Sequence, residues 1–478
     1  MAPAPVRIAP PVRPAGDTLA AVPIRMRAGV AAMPIAPLER RFRQGAPAVQ
    51  RADRPPLCAL TLAGPTIYKD SAIKIQNLRR IPMSTHWLRF IPALSMLLAL
   101  GIAPSANAQG KGTIKIASQS PLSGGQAALG EGIKLGTQLA VEKFKGNLEK
   151  MGFKVVLVPY DDQAKPDVGV ANAKNIIADP EILGVVGHLN SGVAIPSSEV
   201  YKDVNVAMVS PANTNPTVTD RGYKNVYRVC GRDDVQGVVG SEFAHATLKV
   251  KSVYIVHDKT TYGQGVAEFF KADAEKKGIK VLGFEGTEEK SNFDPIITPL
   301  KAKNPDLIYY GGIYEGAAPL FKQAREKGVK AKFLGPDGLD SSDLTKIAGK
   351  AVVGMYYTTV AGPVTVYPQA KAFADEFKKK FGKNPEPFAA QAYDSAAILI
   401  KAIEAAAQGG KTPTRDAVTA AIRNVKHSGV TGSVEFDAKG DPKKALYFVI
   451  QVASDDPQKW GDNKEVKKLS IAAPSPRA

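Results

Sequence analysis

The sequence predicts an α/β protein built from two similar units. From Thr113 onward, short apolar runs typical of strands alternate with segments of helical length, which is the pattern of βαβ units. Strands that are apolar throughout are typical of a parallel sheet covered by helices on both faces. The alternation starts again after Cys230, so we expect two units of about 120 residues in tandem, each a normal size for a domain.

Length and composition agree with a soluble globular protein. The chain has 478 residues, 44% hydrophobic and 23% charged, which leaves room for two or three domains and excludes a coiled coil or a polytopic membrane protein. Two cysteines exclude a disulfide framework. The net charge is +18, but residues 1–82 hold 13 Arg and Lys against 4 Asp and Glu, so half of the excess lies outside the predicted units. We therefore do not expect nucleic acid as a partner.

The front of the chain divides into two parts. Residues 1–82 are rich in Pro, Ala and Arg with no apolar period, and we interpret them as a disordered extension or a gene-start error. Residues 83–108 have the three parts of a signal peptide: a weakly basic start, an apolar run and small residues ending at Ala106 and Ala108. We expect translation from Met83, cleavage after Ala108 and export to the periplasm. An organellar transit peptide is the alternative.

The predicted elements follow in order along both units. In the first unit we predict strands at 113–118, 154–160, 182–187 and 206–210, with helices at 129–144, 168–178 and 194–204. In the second unit we predict strands at 252–257, 280–284, 307–310 and 332–335, with helices at 265–277, 293–303 and 316–327. Further helices are predicted at 369–381, 388–408 and 414–425.

The residues after the strands are candidates for a binding site, because ligands of open α/β sheets bind beyond the carboxyl ends of the strands. Ser191 opens a helix after the strand at 182–187, where a hydroxyl and free N–H groups suit a carboxylate or phosphate. Thr214 offers a second hydroxyl in a loop between two prolines. In the second unit, Tyr262 and Asp337 follow strands. Ordinary capping and turn chemistry explains Ser191 and Thr214 equally well from the sequence alone, and the Pro-Asp-Gly tripeptide that carries Asp337 is more often only a turn.

Several catalytic and cofactor chemistries lack their motifs. The five histidines show neither i,i+4 pairing nor cysteine companions, so we expect no metal. Leu189 stands where a nucleophile elbow around Ser191 would need its first glycine. Gly130, Gly132 and Gly136 lie within a predicted helix and do not have the spacing of a dinucleotide fingerprint. We expect no cofactor.

Several longer motifs resemble one family. They are PYDD (159–162), GVVGHLNSG (184–192), SPANTNPTVTDRGY (210–223), YRVCGRDDVQG (227–237), VYIVHDKTTYGQG (253–265), YYGGIYEGAAPLFKQAREKG (309–328) and FLGPDG (333–338). Together they resemble the periplasmic leucine/isoleucine/valine-binding proteins of ABC importers, over about residues 115–452. The order and spacing of several of these motifs match the family.

The resemblance implies the type I periplasmic-binding-protein fold, in which two doubly wound α/β lobes with parallel central sheets are joined by three crossover segments. The crossovers would fall near 230–233, 360–363 and 439–445. The amino-terminal lobe would comprise 109–231 plus 362–440, and the carboxy-terminal lobe 232–361 plus 441–470.

The resemblance also implies a binding site. Ser191 and Thr214 would hold the ligand carboxylate, while the carbonyl of Ala212 and the carboxylate of Asp337 would receive its ammonium. An aromatic ring from the second lobe, Tyr262, and an apolar wall residue, Phe388, would close the pocket.

Two positions depart from the best-known members of the family. Leu129 stands where they have tyrosine in the first loop, and Ile313 stands where they have a second tyrosine, with Tyr314 next along the chain. These departures affect the pocket wall, and therefore the identity of the ligand side chain.

We therefore predict a monomeric, exported receptor that binds a free α-amino acid, expected to be branched-chain, and delivers it to an ABC permease. It is not expected to be an enzyme. Receptors of the same fold for amides, urea or aromatic acids are alternatives. A hydrolase using Ser191 and His188, and a nucleic-acid-associated protein using residues 1–82, are hypotheses from other classes.

Overall fold

The computed structural model describes residues 110–474. The predicted extension at 1–82 and the predicted signal peptide at 83–108 lie outside the described residues. The prediction of an α/β fold is confirmed, because two sheets of five and seven strands, each flanked by helices, account for most of this region.

The strands are β1 (Gly112–Ser120), β2 (Phe153–Asp161), β3 (Ile182–Gly187), β4 (Ala207–Ser210), β5 (Val226–Arg228), β6 (Ser252–His257), β7 (Lys280–Gly286), β8 (Leu307–Gly311), β9 (Lys332–Gly335), β10 (Tyr356–Thr359), β11 (His427–Gly429), β12 (Gly432–Val434), β13 (Lys444–Gln451) and β14 (Lys464–Ala472). The α-helices are α1 (Ala127–Phe144), α2 (Gly146–Lys150), α3 (Pro166–Ala178), α4 (Ser191–Lys202), α5 (Thr217–Asp220), α6 (Asp233–Glu242), α7 (Thr261–Lys276), α8 (Asp294–Lys303), α9 (Tyr314–Glu326), α10 (Ser342–Ala348), α11 (Lys371–Phe381), α12 (Ala389–Ala406) and α13 (Arg415–Ile422). A π-helical turn, Phe243–Thr247, continues α6, and 3-10 turns occupy Asp337–Leu339, Gly349–Val352, Val364–Val366, Gln408–Gly410 and Pro457–Asp462.

The first sheet is parallel throughout, in the order β2-β1-β3-β4-β5. Its central strand β3 (ILGVVG) is buried along its whole length, as expected for a strand covered on both faces. The carboxyl ends of β3 and β4 lead into the loops that carry Ser191 and Thr214. The order of the strands therefore places those two loops side by side.

The second sheet is mixed, in the order β14-β13-β10-β9-β8-β6-β7. Its five strands from β6 to β10 are parallel, as predicted, but β13 and β14 are antiparallel. The prediction of parallel central sheets is confirmed, and β13 and β14 add an antiparallel edge that the sequence did not predict. β14 (KEVKKLSIA) is a largely exposed edge strand rich in lysine, and such charges are typical of edges protected against further pairing.

The chain changes sheets three times, after β5, after β10 and before β13. The first and third connections are joined by a buried ion network. Asp441 accepts from Arg228 at 2.7 Å and from Arg232 at 2.8 Å, and all three side chains are almost fully buried. The residues at which each lobe begins stay a prediction.

The helix pair α1 and α12 packs at unusually short range beside the first sheet. A Cβ atom at Gly136 would overlap the carbonyl of Ala389, and one at Gly130 would overlap the carbonyl of Pro121. Gly136 therefore permits close packing of α1 against the start of α12, and Gly130 permits the loop before α1 to lie against that helix. No helix within residues 110–474 combines the length and hydrophobicity needed to cross a bilayer.

Candidate ligand-binding cleft

A small cavity lies where the loops after the strands of the two sheets meet. Its walls are Leu129, Leu189, Asn190, Ala212, Tyr262, Ile313, Asp337, Gly338 and Phe388. Five residues predicted from the sequence therefore share one cavity. Its volume is about 20 Å³, which is nearer to the space for a water molecule than to that for an amino acid. We therefore expect the two sides of the cleft to move apart when an amino acid enters.

The first side of the cleft presents hydroxyl groups and the start of a helix. Ser191 begins α4, and its Oγ accepts from the backbone N–H of Asn215 at 3.3 Å. The hydroxyl of Thr214 is fully buried and has no hydrogen-bond partner among the described residues. A buried hydroxyl without a hydrogen bond destabilises the fold unless a further group, such as a ligand, forms that hydrogen bond. This side can therefore accept an anionic group.

Asn213 fixes the position of these two loops. Its side-chain oxygen accepts from the backbone N–H of His188 at 2.9 Å, and its amide donates to the carbonyl of Leu189 at 2.9 Å. One side chain from the loop after β4 thereby holds the loop after β3. The backbone around Ser191 is preorganised as a result.

The second side presents a carboxyl group held by a phenol. Tyr262 donates its hydroxyl to Asp337 at 2.5 Å and accepts from the N–H of Gly338 at 2.7 Å. Burial raises the pKa of Asp337 to about 6, while the hydrogen bond from Tyr262 opposes that shift. Asp337 is therefore ionised at neutral pH and can receive a cation.

The apolar part of the wall comes from both sides. Phe388 precedes α12 in the left-handed region at φ 68°, and its side chain is 3% exposed. Ile313, rather than Tyr314, lines the cavity. The hydroxyl of Tyr314 instead donates to the carbonyl of Gly125 at 2.8 Å, across the cleft. The placement of Leu129, Ile313 and Phe388 makes one region of the pocket suited to a hydrocarbon side chain.

Direct contacts cross the cleft at its rim. The amide of Asn215 donates to the carbonyl of Thr261 at 2.9 Å. Glu315 accepts from Gln126 at 3.4 Å and pairs with Lys290 at 2.8 Å, so its charge is already matched outside the cavity. These contacts hold the cleft in a closed arrangement.

Asp233 is a residue of this region that the sequence did not single out. It begins α6, is fully buried, and its N–H donates to the carbonyl of Thr214 at 2.9 Å. Neither of its carboxyl oxygens has a hydrogen-bond partner among the described residues. In the sequence, Asp233 and Asp234 resemble the acidic residues that commonly begin helices, so nothing distinguished one of them.

His188 does not form a catalytic pair with Ser191. Its Nδ1 lies 3.4 Å from Asp162 and its Nε2 lies 3.4 Å from the hydroxyl of Tyr201, all within the buried interior. A nucleophilic hydroxyl needs a base within hydrogen-bonding reach, and both ring nitrogens of His188 contact other groups. The geometry gives the hydrolase hypothesis no support.

A larger cavity of about 400 Å³ adjoins the cleft beyond Phe388. Prolines and Trp460 form much of its wall, and it contains none of the predicted polar site residues. Size alone favours this cavity, but the converging hydroxyl and carboxyl groups favour the smaller one, because a specific site needs polar groups that fix the ligand.

The chain is similar to several known receptors. Residues 113–457 match a family model described as periplasmic binding protein. An amino acid binding protein of Pseudomonas aeruginosa is 34% identical, over 79% of this chain and 97% of its own, and a Leu/Ile/Val-binding protein homolog 2 of Brucella abortus is 36% identical, over 71% and 90%. The crystal structure of a leucine-binding protein from Thermotoga maritima superposes with a TM-score of 0.67 at 30% identity, covering 74% of this chain and 98% of that one. The chain therefore belongs to the periplasmic binding protein family.

Proposed function

We propose that this protein is the substrate-binding component of an ABC importer, and that it binds a free α-amino acid with a branched aliphatic side chain in the cleft. One observation carries the proposal: Asn190 and Ala212 of one lobe and the carboxyl group of Asp337 of the other line one small, partly apolar cavity, and the hydroxyls of Ser191 and Thr214 lie one and two residues along the chain from that lining. An α-amino acid has the matching groups, since it presents a carboxylate, an ammonium and a side chain from one carbon atom.

The ligand carboxylate is assigned to the first lobe. The Ser191 hydroxyl lies at the start of α4, where the helix dipole favours negative charge. The loop that carries Thr214 lies against it, since the N–H of Asn215 donates to the Ser191 hydroxyl at 3.3 Å. The fully buried Thr214 hydroxyl gains a partner when an anion arrives. Both hydroxyls donate to the carboxylate in this assignment.

The ligand ammonium is assigned to Asp337 and to the carbonyl of Ala212. Both residues line the cavity, one from each lobe. Asp337 is the acidic residue that faces the cavity, and Tyr262 holds it in place. An ammonium anchored through its carboxylate in the first lobe would meet Asp337 when the cleft closes.

The side chain is assigned to the wall formed by Leu129, Ile313 and Phe388. This wall contains no charge, so it favours an aliphatic side chain over a charged one. The relative from Brucella abortus is named for leucine, isoleucine and valine, and the relative from Thermotoga maritima is named for leucine, which supports the same class of ligand.

Export to the periplasm, docking to a membrane permease and action as a monomer complete the proposal. They rest on the signal-peptide pattern at 83–108 and on membership of the family. Sequencing the amino terminus of the native protein tests export. A mature protein that begins upstream of Met83 contradicts it.

A thermal-shift panel of free amino acids, amino acid amides, urea and aromatic acids tests the ligand class. A ligand at 100 times its Kd stabilises the folded state by about 2.7 kcal/mol. Leucine, isoleucine or valine should raise the melting temperature more than the amides or aromatic acids do. A larger shift with benzoate or an amide overturns the amino acid assignment, and recovery of a chemically altered ligand identifies an enzyme.

A further inference from the structure

Asp233 has no partner for its charge in the described part of the protein. It is 0% exposed, and both carboxyl oxygens are buried without a hydrogen bond. A buried ionised carboxylate normally requires a cation or several donors, because removing it from water is expensive. The backbone N–H of Asp233 donates to the carbonyl of Thr214 at 2.9 Å.

Asp233 and Asp337 belong to one buried polar cluster. Thr214 lies beside Asp233, Gln236 lies beside Asp337, and Tyr309 senses both charges. Each of these three side chains has a buried oxygen with no hydrogen bond among the described residues. Asp337 accepts a hydrogen bond from the Tyr262 hydroxyl, whereas Asp233 accepts none from this tyrosine. The two carboxyl groups therefore have unequal surroundings although they share one region.

The other charged and titratable groups near the pair do not balance the charge on Asp233. Arg228 from β5 acts on Asp233, but its guanidinium is bonded to Asp441 and to the carbonyls of Asn213 and Asn215. Asp234, beside it on α6, adds negative charge. The remaining titratable groups that sense the pair are Cys230 on the first crossover, Tyr262 on α7, Tyr309 on β8 and the buried Asp340, which follows the 3-10 turn at Asp337–Leu339.

The pair ionises in a definite order. Burial raises the pKa of both carboxyl groups, and the charge on Asp337 raises the pKa of Asp233 further, while the nearby Thr214 hydroxyl and Arg228 oppose the shift on Asp233. Asp337 accepts a hydrogen bond from Tyr262, whereas neither oxygen of Asp233 has a hydrogen bond among the described residues, so Asp337 loses its proton first. Two neighbouring carboxylates in a water-poor site do not both ionise near neutral pH.

We propose that Asp233 is a positioning residue that retains its proton at neutral pH, so that the Asp233–Asp337 pair presents one negative charge to the ligand. This inference rests on the proposed function and deepens it. A pair with a single charge matches a ligand with one ammonium group, whereas two ionised carboxylates would favour a dication. Asp233 thereby sets the charge class that the cleft accepts.

The first test needs no ligand. The parent protein, labelled with ¹³C at the aspartate side chains, is titrated by NMR, and Asp233→Asn and Asp337→Asn assign the two resonances. We expect Asp337 to titrate near pH 6 and Asp233 to remain protonated above neutral pH. Asp233→Asn should leave the Asp337 midpoint unchanged, while Asp337→Asn should move the Asp233 midpoint to lower pH.

The opposite pattern overturns the proposal. If Asp233→Asn lowers the midpoint of Asp337, then Asp233 carried the charge while Asp337 titrated. If Asp337→Asn leaves the Asp233 midpoint in place, the two groups are not coupled. Asp234→Asn is the matched control, because Asp234 lies in the same first turn of α6 but pairs with Arg232 at 2.9 Å.

The second test uses leucine as the probe in calorimetry at pH 7.5. Asp233→Asn, which mimics the protonated form, should bind within about threefold of the parent, a small difference in free energy. Asp337→Asn should bind at least about tenfold more weakly. Equal losses in both variants overturn the unequal roles. If the parent itself does not bind leucine, the proposed function fails, while the NMR titration still decides the charge state of the pair.

Discussion

Substitution of Thr214 should affect leucine binding and protein stability differently. Thr214→Val removes a buried hydroxyl that has no partner in the closed cleft, so the stability of the ligand-free protein should be unchanged or higher. Leucine affinity should fall by about one to two decades, since a hydrogen bond to a charged group contributes roughly 1.5 to 3 kcal/mol. Thermal unfolding and calorimetry measure the two effects.

Thr217→Val is the control, because Thr217 is an exposed residue of the same loop region. It should change neither property. If Thr214→Val binds leucine as tightly as the parent, the carboxylate is held by other groups.

The raised pKa of Asp337 leads us to expect that leucine binding depends on pH. Burial raises its pKa to about 6, and the ammonium requires the ionised form. The affinity for leucine should therefore be constant above that value and fall as the pH drops through it, by about tenfold per unit, since each unit of pH changes the ionised fraction tenfold. Calorimetry between pH 7.5 and pH 5 measures this fall. An equal fall in Asp337→Asn would assign the dependence to another group.

At the scale of elements, the ion pairs of Asp441 with Arg228 and Arg232 link the first and third crossovers. Asp441→Asn leaves Arg228 and Arg232 with less compensation in a buried region, so it should destabilise the protein by about 3 to 5 kcal/mol. Urea unfolding at pH 7 measures the loss. Asp375→Asn, which breaks an exposed pair with Lys371, should change stability by less than about 1 kcal/mol. A comparable loss of stability in both variants would show that the buried network contributes no more to the free energy of unfolding than an exposed ion pair does.

The elements also show which parts of the fold were predictable. Strands β3, β6 and β9 match the predicted ranges residue for residue, because buried parallel strands are continuous apolar runs between turns. β5 was not predicted because a strand of three residues is too short to show a hydrophobic pattern. β14 was not predicted because it is an edge strand, paired on one side only, and its lysines interrupt the apolar residues. Contacts made by tertiary structure, not local sequence, define those two strands.

The site was predictable to a similar degree. Ala212, Tyr262, Asp337, Phe388 and Leu129 came from motif resemblance, and the structure brings them to one cavity. Asp233 could not be distinguished from Asp234 in the sequence, because the two differ in burial, and their burial depends on how the crossover packs. The binding roles of the five cavity residues stay a prediction.

At the scale of the whole molecule, the cleft must open and close. The cavity of about 20 Å³ is too small for leucine, and thin crossovers connect the two sheets. We expect small-angle scattering to show a larger radius of gyration without leucine than with it. Asp337→Asn at the same leucine concentration should not compact. An identical radius in both states of the parent would exclude a hinge closure.

The most direct test of the account is calorimetry of the parent protein with leucine, leucinamide and 4-methylpentanoate. The account requires the carboxylate to be held by one lobe and the ammonium by the other. Leucine should bind, and each analogue, which lacks one of these charges, should bind at least about tenfold more weakly, as expected for the loss of a charged hydrogen-bonding partner. If leucinamide or 4-methylpentanoate binds as tightly as leucine, the cleft does not recognise a free α-amino acid through these two charges.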